Sequence, residues 1–313
     1  MRRIGFRTYG GPEVLECEHV PRPECGPGEL LVEVAATGVT RPVVRLTRGD
    51  GNGGGVALPH APGGDVAGTV VAVGEGVSGF RVGDLVAGIV FAGAYAEFAL
   101  LPVAFAARVP VGIDAAAAVA LVRNGQVALG ALRAGAVQPG ESVLVTGAAG
   151  GVGHLALQLA RVLGASRVVA AVGSAAKAEF VRGLGADEVV VYDQQAGWGE
   201  PVDVVLDSVG DAVLAPALRA VAPLGRLVEF SGGGGTVDVV DLRMRAVSVI
   251  GFSMAPFAGR HRDVYEAQRE RLWELARAGE LRPAITAMPL EKAAEAHRLL
   301  ESRDGVGKIV LVP

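Results

Sequence analysis

The sequence predicts an α/β chain in which a doubly wound parallel sheet is inserted into a smaller, barrel-like β domain. Three observations predict it. Short, wholly apolar strands alternate with helical segments through the middle of the chain, the mark of βαβ units whose sheet is covered on both faces. One of those strands runs straight into a glycine-rich turn that opens a helix, VLVTGAAGGVGHLALQLARVLGA (Val143 to Ala165). The chain before about residue 110 reads instead as short alternating strands broken by Gly and Pro, and one more apolar strand, KIVLV (Lys308 to Val312), lies at the far end.

In the first part the strands are LLVEVAATGV (Leu30 to Val39), DVAGTVVAVG (Asp65 to Gly74), DLVAGIV and AYAEFALL. The tract GDGNGGG (Gly49 to Gly55) has no periodicity and reads as a mobile surface loop; a lid is the alternative, because loops on rigid scaffolds often border sites. After Asp114 come an alanine-rich helix (Ala115 to Leu132), SVLVTG, a helix from Gly151 to Leu163, RVVAAVG, a helix from Ala175 to Leu184, EVVVYD, VDVVLDSVG, a helix near Ala212 to Val221, and GRLVEFSG. This places the doubly wound domain at 115–255 and the other at 1–114 with 256–313. Two amphipathic helices follow Asp263, and the terminal strand is expected to return to the first domain.

A length of 313 residues accommodates two domains with separate cores. The balance of 50% hydrophobic and 20% charged residues argues against extensive disorder. A net charge of -4 offers no field for nucleic acid or an anionic membrane. The start, MRRIGFRTYGG, lacks the apolar core of a signal peptide, and the longest apolar stretch, Ala115 to Val122, falls short of the roughly 20 residues that span a bilayer. A cytoplasmic protein is expected. Cys17 and Cys25 have the spacing of neither a zinc pair nor a disulfide framework and are expected to be reduced. Lysine is rare, at Lys177, Lys292 and Lys308 only, so each retained position invites a question.

The glycine-rich turn carries the chemistry. Ala148, Gly150 and Gly153 occupy the three places of a dinucleotide fingerprint, with Ala replacing the first glycine. The middle glycine lets N–H groups from Ala149 onward approach a pyrophosphate, and the last lets helix pack on strand. Coenzyme choice follows from the end of the next strand, RVVAAVGSAAK. NAD-binding chains place an Asp or Glu there for the ribose 2′-OH. This one has Val172, Gly173, Ser174 and Lys177, so a hydroxyl and an ammonium are offered to a 2′-phosphate and NADPH is favoured. The alternative for Lys177 is a solvated helix residue.

With these motifs the chain resembles the medium-chain dehydrogenase/reductase superfamily, in its zinc-independent quinone-oxidoreductase branch. The resemblance runs through GPEVLE (Gly11 to Glu16), PGELLVEVAATGV, PGGDVAGTVVAVGEGVSGFRVGDLVAG, GAYAEF, LGADEVVVYD, DVVLDSVG and LLESRDGVGKIVLVP. It implies a GroES-like barrel split around a Rossmann domain, with NADPH in the cleft. It also implies that Gly150, Gly151 and Val152 lie under the pyrophosphate, while Gly173, Ser174, Lys177 and Tyr192 surround the 2′-phosphate. Val209, Phe230, Ser231 and Gly232 are implied to line the ribose and nicotinamide, with Phe252 and Ser253 at the nicotinamide end. A homodimer paired through the apolar strand VSVIGF (Val247 to Phe252) is implied as well.

Zinc-dependent relatives carry a Cys after the first strand of the catalytic domain and a Gly-His-Glu further on. Here those places hold Thr40 and Gly64-Asp65, so the three or four ligands of a zinc site are missing and no metal is expected. His60 reads as a lone loop histidine. Asp65 and Tyr95 read as structural groups that bond the barrel's backbone turns. Where quinone oxidoreductases usually have Asn and, three residues later, Asp, this chain has Thr40 and Val43; a common helix Thr is Val127, and Asn124 remains. Thr40, Arg41 and Asn124 are the candidates near the reacting carbonyl, with a surface charge for Arg41 and a helix cap for Asn124 as alternatives. The expected function is zinc-independent hydride transfer from NADPH to a quinone or other α,β-unsaturated carbonyl, in a biosynthetic setting. The alternative is an NADPH-binding protein with little turnover that serves as a structural or regulatory partner.

Overall fold

Runs of β-branched and small apolar residues decide the strands, and the faces they bury decide the layers. In a computed structural model that describes residues 1–50, 55–192, 197–230 and 233–313, the chain divides into two compact units, Met1–Arg123 with Ala284–Pro313, and Asn124–Pro283. Along the chain the elements are β1 (Arg2–Gly5), β2 (Glu16–His19), β3 (Glu29–Gly38), α1 (Arg41–Arg48), β4 (Pro62–Val73), β5 (Leu85–Ala92), β6 (Phe98–Pro102), β7 (Ala106–Arg108) and α2 (Ala115–Val119). Then follow α3 (Gln126–Ala134), β8 (Ser142–Thr146), α4 (Gly153–Val162), β9 (Arg167–Val172), α5 (Ala178–Gly183), β10 (Glu188–Val191), β11 (Val202–Asp207), α6 (Leu214–Arg219) and β12 (Val221–Glu229). The remainder is α7 (Val239–Arg245), β13 (Ser248–Gly251), α8 (Met254–Arg260), α9 (Arg262–Arg277), β14 (Ile285–Pro289), α10 (Ala293–Ser302) and β15 (Lys308–Val312).

The first unit is built on a 7-stranded sheet of order β14-β15-β3-β4-β5-β7, with β6 also on β3. Its core joins Leu30, Val32, Val66, Val70 and Leu101 of these strands to Leu290, Ile309 and Leu311 from the end of the chain. As the sequence suggested, the terminal strand returns here: β15 pairs antiparallel with β3, Val310 opposite Gly38. The second unit holds a 6-stranded sheet of order β10-β9-β8-β11-β12-β13 in which every pair is parallel. That order reverses between β8 and β11, and in open α/β sheets ligands bind outside the carboxyl ends of the strands at such a switch point.

The units meet later than the junctions near 114 and 255 read from the sequence. Helix α2 packs on β3, β4 and β5, and α9 packs on α3, so each helix stays with the sheet or helix that covers its apolar side. The alanine-rich helix read from Ala115 to Leu132 runs two residues further, as 20 helical residues to Ala134. By length and composition it matches a membrane span, but 67% of its apolar window is buried in the fold, the condition of a core helix.

Candidate functional site

The glycine turn between β8 and α4 is assembled from both neighbouring strand ends. Gly147 adopts φ 58°, which favours glycine, and a Cβ there would stand 2.6 Å from Ser208 Oγ. A Cβ on Gly153 would lie 2.3 Å from the Gly147 carbonyl oxygen and 2.7 Å from Ala148 Cα, so only glycine lets α4 start this close to the turn. On the β11 side, Asp207 Oδ1 accepts from Thr146 Oγ1 (2.7 Å) and from the Val209 and Gly210 amides, while Ser208 Oγ donates to the Thr146 carbonyl at 3.0 Å. On the β9 side, the Tyr192 hydroxyl accepts from the Gly147 amide at 2.6 Å and donates to the Ala171 carbonyl at 3.2 Å. Among the described residues, the amides of Ala149, Gly151, Val152 and Gly153 meet no acceptor. Four open N–H groups at the start of a ten-residue helix form a cradle for an anion.

At the end of β9, Gly173 has no steric reason of its own: a Cβ would meet nothing closer than the Tyr192 ring at 4.0 Å. The space beside it is open to a ligand. Ser174 caps the short 3₁₀ turn Ala175–Lys177, its Oγ accepting from the Ala176 amide at 3.3 Å, and Lys177 ends that turn half-buried. No carboxylate follows within the turn. Val209, half-buried beyond β11, accepts from the Gly233 amide at 2.7 Å, and Phe230 is buried at the end of β12. Ser231 and Gly232 lie outside the described residues, as do residues 51–54 of the Gly49–Gly55 tract. Phe252 lies on α3, where a Cβ at Gly130 would meet its Cζ at 2.5 Å, and Ser253 is exposed at the start of α8.

The barrel unit holds a different cluster. Asp65, fully buried in β4, is bound by Lys308 Nζ at 2.8 Å and by Arg123 Nε. Burial pushes its carboxyl pKa up, but the two cations outweigh burial and hold it below the ordinary carboxylate range. Gly38 makes room, since a Cβ there would sit 2.6 Å from the ammonium and 2.7 Å from Asp65 Oδ2. Tyr95, also fully buried, meets His297 Nε2 at 3.2 Å; burial raises the phenol's pKa and lowers that of His297 to about 4. The expectation that Asp65 and Tyr95 bond backbone turns is therefore corrected: their side chains hold other side chains, brought from 243 and 202 residues away.

Thr40 precedes α1 in extended conformation with its hydroxyl buried and, among the described residues, without a partner. An N-cap hydroxyl ordinarily accepts from the second or third amide of its helix. The second residue here is Pro42, which has none, and Thr40 caps nothing. Arg41 follows with an exposed side chain. Asn124, buried, is the first residue of the second unit. It caps no helix, lying inside a π-helical segment, Ala120–Gly125, of the kind that recurs at functional sites. His60 sits edge-on to Phe6, and among the described residues no group of three or more His, Cys, Asp or Glu is placed to hold a metal.

Sequence reasoning missed Thr146, Asp207 and Ser208 as the groups that fix the turn, although the DSVG motif contained two of them. It missed Arg123 and Lys308 as well. The rarity of lysine was the signal for Lys308.

Two family models match, the alcohol dehydrogenase GroES-like domain over residues 26–111 and the zinc-binding dehydrogenase over residues 184–311. A quinone oxidoreductase of Pseudomonas aeruginosa is 34% identical over 100% of this chain and 99% of its own length. The chain belongs to the medium-chain dehydrogenase/reductase superfamily, in its quinone-oxidoreductase-like branch. Members of this superfamily solved with coenzyme have the same fold. Escherichia coli quinone oxidoreductase complexed with NADPH matches 100% of both chains' length with a TM-score of 0.91 at 29% identity. Mycobacterial Rv1454c complexed with NADPH does so, again over 100% of both, with a TM-score of 0.91 at 33% identity.

Proposed function

We propose that this superfamily member is an NADPH-dependent reductase of quinones or other α,β-unsaturated carbonyls, working without zinc. The observation that carries the reading is the cradle of open amides at Ala149, Gly151, Val152 and Gly153, followed on the next strand by Ser174 and Lys177 with no carboxylate. Those amides, with Gly150, hold the diphosphate. Ser174 and Lys177, beside Gly173 and Tyr192, hold the ribose phosphate. Val209, Phe230, Ser231, Gly232, Phe252 and Ser253 serve the ribose and nicotinamide. NADPH, when bound, supplies a hydride to the conjugated acceptor.

The chain's own task is to orient that acceptor and to receive the charge that gathers on its carbonyl oxygen. The Thr40 hydroxyl, buried and uncommitted, is the donor to that oxygen, with Arg41 and Asn124 as the other polar groups of the site. Solvent protonates the product. Zinc independence is supported by the engagement of Asp65 with Lys308 and Arg123 and by Thr40 at the place where zinc-dependent relatives carry Cys. The reading extends to a biosynthetic enone reductase in the cytoplasm, where free thiols such as Cys17 and Cys25 stay reduced.

It also includes a homodimer. Strand β13 ends its sheet, and nearby α7 leaves Val239, Val240 and Met244 exposed. Sedimentation should report twice the 31.8 kDa chain mass, and a monomer would overturn that part. Turnover is tested by anaerobic mixing with NADPH, followed at the nicotinamide absorbance across a panel of quinones and enones. Oxidation of NADPH by a subset of the panel is expected. Binding without oxidation across the whole panel would make the chain a coenzyme-binding partner instead.

A further inference from the structure

The buried ion cluster of the barrel unit holds one cation more than its carboxylate requires. Asp65 lies opposite Gly38 in the β3–β4 pairing, and its backbone is pinned by Thr37 Oγ1, which donates to the Asp65 carbonyl at 3.0 Å. Lys308 Nζ donates to Asp65 Oδ2 at 2.8 Å, and with side chains 2% and 0% exposed these two make a buried pair that is neutral as a whole. Arg123 Nε donates to Oδ1 as well. One carboxylate against two cations leaves the cluster with a net positive charge. That surplus carries a cost: burial lowers the pKa of the Lys308 ammonium, Asp65 opposes the shift, and Arg123 adds to it. Neutralising Asp65 therefore gives no reason for the second cation.

The surplus charge falls on the member of the cluster that meets solvent. The Arg123 side chain is 30% exposed, and it stands in the π-helical segment Ala120–Gly125. The buried Thr40 hydroxyl, without a partner among the described residues, belongs to the same unit. It comes two residues after Gly38 and directly after Val39, whose amide donates at 3.0 Å to Ile309, the neighbour of Lys308. A guanidinium anchored through Nε on a fixed carboxylate is held in one orientation, and its planar shape suits a second carboxylate. We propose that Arg123 is a specificity-determining residue for the acceptor, which carries a carboxylate besides its conjugated carbonyl. The proposal rests on the reductase reading above and names the class of its acceptor.

Steady-state oxidation of NADPH by an enone that bears a carboxylate on a side arm, and by its methyl ester, tests it on wild type and Arg123→Gln. Wild type should prefer the acid by about tenfold in kcat/KM, through a lower KM, the worth of one charge-assisted contact. Arg123→Gln should bring the acid down to the ester, whereas an arginine that serves only the fold would lower both and keep their ratio. Equal use of acid and ester by wild type, or a preference that survives in Arg123→Gln, would overturn the proposal. Turnover of quinones with neither member of the pair accepted would overturn it too, while leaving the reductase reading in place. No oxidation of NADPH by any acceptor would sink that reading, and the proposal with it. Should Arg123→Gln fail to fold, Arg123→Lys decides, because it keeps the charge against Asp65 and removes the planar fork. A KM for the acid that rises relative to that of the ester upholds the proposal, and an unchanged ratio refutes it.

Discussion

The glycine turn of the dinucleotide unit and the Thr40–Asp65 neighbourhood of the barrel unit are both polar clusters at the ends of strands, and they are finished in opposite ways. In the turn, Thr146 of β8 bonds Asp207 of β11, Ser208 and Tyr192 bond the backbone, and what is left open is a row of amides. In the barrel, the charged side chains are consumed in a buried ion cluster, and what is left open is a side-chain hydroxyl, Thr40 Oγ1. Backbone donors suit the part of a coenzyme that does not vary. A side-chain donor is replaceable by substitution, which suits the part of a reaction that changes between relatives.

Four variants or conditions put pressure on that contrast. Lys308→Ala leaves the buried Asp65 with Arg123 alone, and breaking a buried pair costs about 3 kcal/mol or more. Denaturant unfolding should show that loss, while NADPH affinity of the folded protein stays unchanged; coenzyme affinity falling with stability would deny the separation of the two clusters.

Acid gives a comparable effect in the barrel. His297 is neutral when folded, with its pKa lowered to about 4, and an unfolded histidine titrates near 6.5. Below pH 6.5 the unfolded chain therefore takes up a proton that the folded one refuses. Stability should fall by up to about 3 kcal/mol between pH 6.5 and 4 and then level off. His297→Gln should flatten that slope, and a slope that persists would place the acid sensitivity elsewhere.

In the turn, Gly153→Ala sets a methyl against the Gly147 carbonyl and Ala148 backbone, and NADPH and NADH should both weaken by about a hundredfold. Unchanged titrations would mean that the turn is not the diphosphate site. Thr40→Val should lower turnover by about tenfold and leave the dissociation constant of NADPH as it was. Equal turnover in that variant would remove Thr40 from the reaction.

The same contrast explains what was legible in the sequence. Strands β8 to β12 and the turn at Gly147–Gly153 were readable because apolar runs and glycine spacing are local properties, and the return of β15 to the first unit followed from its leftover apolar pattern. Helix α1 was not read, although Thr40 before it and Pro42 in its first turn are start signals, because its eight residues make little more than two turns. Helices α7 and α8 bury no residue completely and so leave no apolar stripe to detect. The pairings of Asp65 with Lys308 and of Tyr95 with His297 bridge distant segments, and no window along the chain contains both partners. Of the proposed site, the turn from Ala149 and the Ser174–Lys177 edge were read from the residues themselves, while Tyr192, Val209, Phe230, Ser231, Gly232, Phe252 and Ser253 were read only from the resemblance to the family. The substrate half, Thr40, Arg41 and Asn124, was visible only against the family's usual polar positions.

The central claim is that four open amides and the Ser174–Lys177 edge bind a nicotinamide dinucleotide phosphate. Titration calorimetry of the wild-type chain with NADPH and NADH tests it most directly. The account predicts that NADPH binds, and at least about tenfold more tightly than NADH, the worth of a charge-assisted contact to one phosphate. Heat from neither coenzyme at millimolar concentration, or tighter binding of NADH, would contradict it.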